Sequence, residues 1–204
     1  MSAVAIARHR PADNPFACHR VEGLGFRFNG LGLEDLCRHL EDLGGRAAIV
    51  GPEGSGKTTL LEELAPALPG ETVWVRIEGG CRRPWRTVRD QLPNSVTPGH
   101  AVLIDGAEQL GTVGWSRFLL ATRNAGRLVA TLHRPGLLPT LIECRTDRDL
   151  LCDLVKELAA EDAPRLASDL DLLFQRHGGN IRMCLRDLYD VYAGRTDPGP
   201  HESR

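Results

Sequence analysis

Arg46-Ala47-Ala48-Ile49-Val50-Gly51-Pro52-Glu53-Gly54-Ser55-Gly56-Lys57-Thr58-Thr59-Leu60-Leu61-Glu62-Glu63-Leu64-Ala65 is the stretch that decides how this chain folds. Residues 46–50 read as a short buried strand, and 59–65 read as the start of a helix. Between them, residues 51–58 fit G-x-x-x-x-G-K-[ST] at every fixed position, in the strand–loop–helix context that the motif needs. The glycines let the backbone turn with its N–H groups pointing inward, which forms an anion nest at a helix N-terminus. Gly51, Pro52, Glu53, Gly54, Ser55, Gly56, Lys57, Thr58 and Thr59 are therefore the expected phosphate-binding residues. Lys57 can reach phosphate oxygens as a mobile point charge, and the Thr58 hydroxyl can hold Mg²⁺. The chain has two lysines, Lys57 and Lys156, and its other Lys/Arg positions are arginine. A lysine thus stands where a rigid guanidinium fork would serve poorly.

Composition sets the outer bounds. A chain of 204 residues makes one domain, or one domain plus a small lid. A net charge of −2 gives no global pull toward nucleic acid or an anionic membrane. No apolar run is long enough to span a bilayer, so no membrane partner is expected. Residues 1–10 lack an apolar signal core. The six cysteines are scattered with no C-x-x-C pair, and read as reduced, buried thiols of a cytoplasmic protein rather than a zinc site.

Working outward from the loop, leucines at 33, 36, 40 and 43 form a helical stripe that Gly44-Gly45 ends. Strand-like segments are expected at 46–50, 72–78, 101–105, 127–132 and 140–144, with helices at 57–67, 84–92 and 110–124. Strands alternating with helices predict an α/β fold, a parallel sheet with helices on both faces. Residues 1–30 read as irregular, with apolar clips at Asn14-Pro15-Phe16 and Leu24-Gly25-Phe26. From Thr146 onward the pattern is helical. Thr146 or Asp147 can cap one helix, Asp162 a second with Pro164 in its first turn, and Asn180 a third ending near Tyr192. The tail from Gly194, with Pro198 and Pro200, is expected to be disordered.

Ala101-Val102-Leu103-Ile104-Asp105 is an apolar strand ending in a carboxylate, followed by Gly106-Ala107-Glu108-Gln109-Leu110. With the loop at 51–58 and a C-terminal helical segment, this resembles the AAA+ and STAND branches of the P-loop ATPases. The resemblance covers roughly residues 45–193. It implies a P-loop NTPase fold with a five-stranded sheet of order 5-1-4-3-2, and the three helices of 146–193 as a lid. Residues 1–45 would then be an N-terminal segment whose one helix packs on the core. It also implies that ATP and Mg²⁺ are the cofactors, with Thr58 holding the metal directly and Asp105 through water.

Many AAA+ proteins carry a glutamate immediately after that aspartate to polarise the attacking water. Here the position is Gly106. The NACHT-type STAND pattern D-G-x-[acidic]-x-L is closer, and it makes Glu108 the acidic group near the γ-phosphate. In this family a polar residue at the end of the fourth strand touches the γ-phosphate or the water. Thr131 and His133 are the candidates, with His133 nearer the strand's ligand edge. Gly178-Gly179-Asn180-Ile181-Arg182 is similar to the element that places a phosphate-sensing arginine at the start of a lid helix, which makes Arg182 the third candidate catalytic residue.

Absent motifs narrow the nucleotide. No D-x-x-G follows the metal strand and no lysine can make [NT]-K-x-D, so GTP is not expected. No L-S-G-G-Q-type signature precedes Asp105. The basic cluster Cys81-Arg82-Arg83-Pro84-Trp85-Arg86, with Arg89, has three readings: a second phosphorylated substrate, nucleic-acid phosphates with Trp85 stacking, or a solvated helix face over a buried Trp85. Arg117 and Arg123 are surface charges or arginine fingers toward a neighbouring copy in a homo-oligomer. The expectation is a protein that binds ATP and ADP, hydrolysing ATP to drive lid motion and binding of an unidentified protein or nucleic-acid partner. The alternatives are a small-molecule phosphotransferase and a nucleotide-gated binding module with little turnover.

Overall fold

The computed structural model describes residues 13–28 and 30–194. The expectations for residues 1–10 and for the tail beyond Gly194 lie outside the described residues. In chain order the elements are α1 (Cys18–Glu22), α2 (Leu33–Asp42), β1 (Arg46–Val50), α3 (Lys57–Leu64), β2 (Glu71–Arg76), α4 (Pro84–Gln91), β3 (His100–Asp105), α5 (Gly111–Ala121), β4 (Arg127–Leu132), β5 (Thr140–Glu143), α6 (Arg148–Leu158), α7 (Ala163–Arg176) and α8 (Ile181–Tyr192). Two short 3₁₀ turns, Ala65–Ala67 and Ala107–Leu110, follow α3 and precede α5.

By their contacts the described residues form two units: those of Gly25–Arg145, and those up to Leu24 together with those from Thr146 on. The first unit is α/β. Its five strands are all parallel, in the order β2-β3-β4-β1-β5. Inner strands of a parallel sheet are covered on both faces and read as continuous apolar runs. Ala101 to Ile104 and Leu128 to Ala130 accordingly have no exposed surface. Side chains alternate between the faces. Ala48, Val50, Val102, Ile104, Leu128 and Ala130 join Trp115 and Phe118 of α5. Ala47, Ile49, Leu103 and Val129 join Leu60, Leu61 and Leu64 of α3 and Leu36 and Leu40 of α2. β2 is an edge strand, and only Val73 and Val75 of it are buried. Burying each such side chain contributes about 1.5–3 kcal/mol, so the two apolar layers fix the register that brings the strands' C-terminal ends into line.

The helical unit packs Leu151, Leu154, Val155 and Leu158 of α6 against Leu166 and Leu170 of α7, Leu185, Leu188 and Tyr192 of α8, and Phe16. Asp147 caps α6 by accepting from the Leu150 N–H at 2.7 Å, and Asn180 caps α8 by accepting from Met183 at 3.2 Å. Asp162 does not cap α7, contrary to the sequence expectation: its backbone is already helical, which turns the side chain away from the helix amides. Its carboxylate instead accepts from the Tyr192 hydroxyl at 2.7 Å and pairs with Arg165 at 3.3 Å.

Residues 13–24 are more structured than expected. α1 lies between the two apolar clips, Phe16 meets Tyr192 edge to face with centroids 5.2 Å apart, and the Asn14 amide donates to the Tyr189 carbonyl at 2.9 Å. This part of the N-terminal segment belongs with the C-terminal helices, whereas α2 packs on the sheet. No helix among the described residues is long and apolar enough to cross a membrane.

Candidate functional site

β1 lies inside the sheet between β4 and β5 and is buried from Ala47 on, so it delivers residues 51–56 rigidly to the edge formed by the strands' C-terminal ends. Gly51 sits where a side chain has no room: a Cβ there would lie 2.5 Å from the Cys144 carbonyl and 2.9 Å from the Cys144 Cβ. The neighbour is Cys144 because β5 pairs with β1 and the Cys144 N–H donates to the Val50 carbonyl at 2.7 Å. Gly54 and Gly56 adopt left-handed backbone, with φ of 72° and 84°. Gly56 starts α3, and no side chain caps that helix start. The first N–H groups of a helix have no partner within it, so this turn carries the partial positive charge that favours anions.

Lys57 is buried at 9 % exposure. Its ammonium donates to the Gly51 and Pro52 carbonyls, both at 2.7 Å. Those bonds use two of its three donors and leave one for a further acceptor. Burial pushes the Lys57 ammonium below its ordinary range. Glu108 opposes that shift most strongly, ahead of Cys144, Asp105 and Glu53. Ser55 closes the loop on itself by donating to the Pro52 carbonyl at 2.8 Å.

Asp105, at the end of β3, meets α3. The Thr58 hydroxyl donates to Asp105 Oδ2 at 2.9 Å, joining residues far apart in sequence. The Thr131 hydroxyl of β4 donates to Asp105 Oδ1 at 2.6 Å and accepts from the Gly106 N–H at 3.1 Å. Both carboxylate oxygens are thus held by threonines, one on each side. Thr131 is 1 % exposed, so its hydroxyl needs these partners.

Gly106 turns the chain with φ of 81°, and a Cβ there would lie 2.2 Å from the Ile77 carbonyl. No larger residue fits that position without moving the end of β2. The carboxylate expected directly after Asp105 in many AAA+ proteins is therefore sterically excluded here. The next acidic residue, Glu108, lies on the 3₁₀ turn and is the strongest charge acting on Lys57. Glu108 also meets His133 at 3.5 Å, both side chains being partly exposed. A cavity of about 410 Å³ opens beside the pair, walled by Trp115, Leu132 and Leu137.

The structure therefore gathers Gly51, Lys57, Thr58, Asp105, Glu108, Thr131 and His133 at one sheet edge. Pro52 and Glu53 are exposed loop residues, and Thr59 is half-buried in the first turn of α3. Arg182 stands in the helical unit, exposed in the first turn of α8. In the basic cluster, Trp85 is partly buried against the core, short of the full burial that the solvated-face reading expects, and Arg86 and Arg89 pair with Asp90. Arg117 and Arg123 are exposed.

Three site features were not read from the sequence. Cys144 closes against Gly51, Glu63 accepts from the Phe26 N–H at 2.6 Å, and Thr131 grips Asp105. The strand order supplies the first and third, because it sets which strand ends are neighbours. Among the described residues no group of three or more His, Cys, Asp or Glu side chains is placed to hold a metal, so a cation here would have to rely on Thr58, Asp105 and its own ligand's oxygens. In comparisons with known proteins, no family model and no curated protein matches the chain.

Proposed function

We propose that this chain binds ATP with Mg²⁺ through residues 51–58 and hydrolyses it, as an ATPase of the P-loop type resembling the AAA+/STAND branch. The observation that carries the reading is the Thr58–Asp105 hydrogen bond at 2.9 Å, made beside the buried Lys57. A hydroxyl and a carboxylate side by side are hard oxygen donors, the kind that suit Mg²⁺ when phosphates and water complete its shell. The loop's fit to phosphate rests on the uncapped start of α3, the left-handed Gly54 and Gly56, and the third Lys57 donor.

When bound, Mg²⁺ supplies charge neutralisation on the phosphate oxygens. The protein residues do the rest. Lys57 gives its third N–H to a phosphate oxygen while keeping the Gly51 and Pro52 carbonyls. Thr58 and Asp105 hold the metal side of the site. Glu108 accepts the proton of the attacking water, a role worth about 10²–10⁴ in rate for a positioned base. His133 orients Glu108. The role of Arg182 as a phosphate sensor, and of 146–193 as a lid, rests on the sequence resemblance alone.

A second reading, a nucleotide-gated binding module with little turnover, is favoured by one observation: Glu108 is shared with His133 while Gly106 can bear no side chain. Purified protein incubated with ATP and Mg²⁺ separates the two. Release of phosphate that is lost in Glu108→Gln supports the ATPase. Tight ATP binding with no phosphate release supports the module.

A further inference from the structure

The threonine on β4 does something different from sensing a phosphate. A hydroxyl has one proton to give. That of Thr131 goes to Asp105 Oδ1 at 2.6 Å, and its oxygen accepts the Gly106 N–H at 3.1 Å. Thr131 is 1 % exposed on a strand flanked by β3 on one side and β1 on the other, in register with Ile49. Its proton can reach a phosphate or a water only by abandoning Asp105 and leaving buried groups unpaired. The hydroxyl therefore belongs to the protein's own frame.

We infer that Thr131 is a positioning residue that fixes two things at once, and the inference rests on the Mg²⁺–nucleotide reading of the site. By holding Oδ1 it sets the rotation of the Asp105 carboxylate, so that Oδ2 faces Thr58 on the metal side. By holding the Gly106 N–H it sets the angle at which the Ala107–Leu110 turn leaves β3, and so where Glu108 stands relative to Lys57. Metal holding and water activation are thereby tied to one buried side chain that touches neither ligand. Thr131→Ser keeps the hydroxyl and loses only a methyl group. Thr131→Val keeps the volume and loses the hydroxyl. If the hydroxyl is what matters, serine rescues and valine does not.

The test uses the full chain with a fluorescent ATP analogue, titrated once in Mg²⁺ and once in EDTA. Thr131→Val is expected to weaken binding about tenfold in Mg²⁺, the scale of one charge-assisted hydrogen bond, and to leave binding in EDTA unchanged. Thr131→Ser is expected to bind within about twofold of the parent in both, a loss of well under 1.4 kcal/mol. Amide exchange in a peptide spanning 105–110, measured without nucleotide, is expected to be faster in Thr131→Val and parental in Thr131→Ser. Should Thr131→Val fail to melt cooperatively, Thr131→Ala takes its place with the same expectations. An unchanged Mg²⁺ response in the valine variant overturns the proposal, as does a serine variant that behaves like valine. A parent that binds no nucleotide overturns the functional reading instead. The exchange arm then still decides whether the hydroxyl holds the Gly106 turn.

Discussion

Gly106 offers the sharpest test of why the acidic residue stands at 108 rather than 106. Placing alanine at 106 adds one carbon, which the structure puts 2.2 Å from the Ile77 carbonyl, more than 1 Å short of the 3.4 Å at which ordinary contact begins. The left-handed backbone adds its own cost, roughly 1–2 kcal/mol for any residue with a Cβ. Relieving the clash means moving Ile77, whose N–H donates to the Asp105 carbonyl at 2.9 Å. Weakening that bond costs about 1 kcal/mol more. The sum is on the order of 2–3 kcal/mol, or a fall in Tm of about 4–12 °C at this chain size.

Gly44→Ala is the control. Gly44 has a similar φ of 74°, but a Cβ there meets nothing within 4 Å, so only the backbone cost applies. The difference between the two variants in urea or thermal unfolding measures the clash alone. Gly106→Glu, which introduces the residue that many AAA+ proteins carry at this point of the motif, is expected to be as destabilised as Gly106→Ala and to gain no ATPase activity. A Gly106→Ala protein that melts no lower than Gly44→Ala would refute the steric argument. A Gly106→Glu protein that is stable and faster would refute the assignment of Glu108.

Further predictions follow from the same geometry. Glu108→Gln should keep ATP binding and slow phosphate release by about 10²–10⁴, the contribution of a positioned base, measured by steady-state phosphate assay. Because burial holds the Lys57 ammonium below its ordinary range, a bound phosphate should raise it again. ATP binding should then take up protons at alkaline pH and weaken as pH rises through the lowered Lys57 value, and calorimetry in buffers of different ionisation heat reads this directly. Burial pushes the Cys144 and Cys184 thiols from 9.0 to about 11. Their protonated forms therefore favour the fold below pH 9.0, and stability should fall as pH rises from there through about 11. At neutral pH a thiol reagent should label exposed Cys18 well before either of them. Tyr192→Phe removes the hydroxyl bonded to Asp162 at 2.7 Å and should cost about 1.5–3 kcal/mol in unfolding.

The α/β class and the parallel sheet were legible because their signals are local and repeated. Apolar runs such as 101–105 and 127–132 can be buried only between two helical layers, and the glycines and caps between them mark the turns. Element ends were less legible. The helix expected over 110–124 runs from Gly111 to Ala121, with a separate 3₁₀ turn over Ala107–Leu110 ahead of it, and α1 has only five residues, too few to show a period. Asp162 looked like a cap because helix starts favour aspartate. Its tertiary partner Tyr192, thirty positions away, takes the side chain instead.

In the site, the residues of one continuous motif were readable from their spacing. The grip of Thr131 on Asp105 and the closure of Cys144 on Gly51 depend on which strands are neighbours, and no local pattern records that. Gly106 was seen as a departure from a family pattern. Its reason, the carbonyl of Ile77 just past the end of β2, is visible only in three dimensions.

The central claim is that residues 51–58 hold the phosphates of ATP. Its most direct measurement is a titration of the parent and Lys57→Ala with a fluorescent ATP analogue in Mg²⁺, with melting curves to show that both are folded. Losing a charged hydrogen bond from a buried site costs about 1.5–3 kcal/mol, so Lys57→Ala is expected to bind roughly tenfold to a hundredfold more weakly than a parent that saturates. A parent that does not bind, or a folded Lys57→Ala variant with the parent's Kd, would contradict the account.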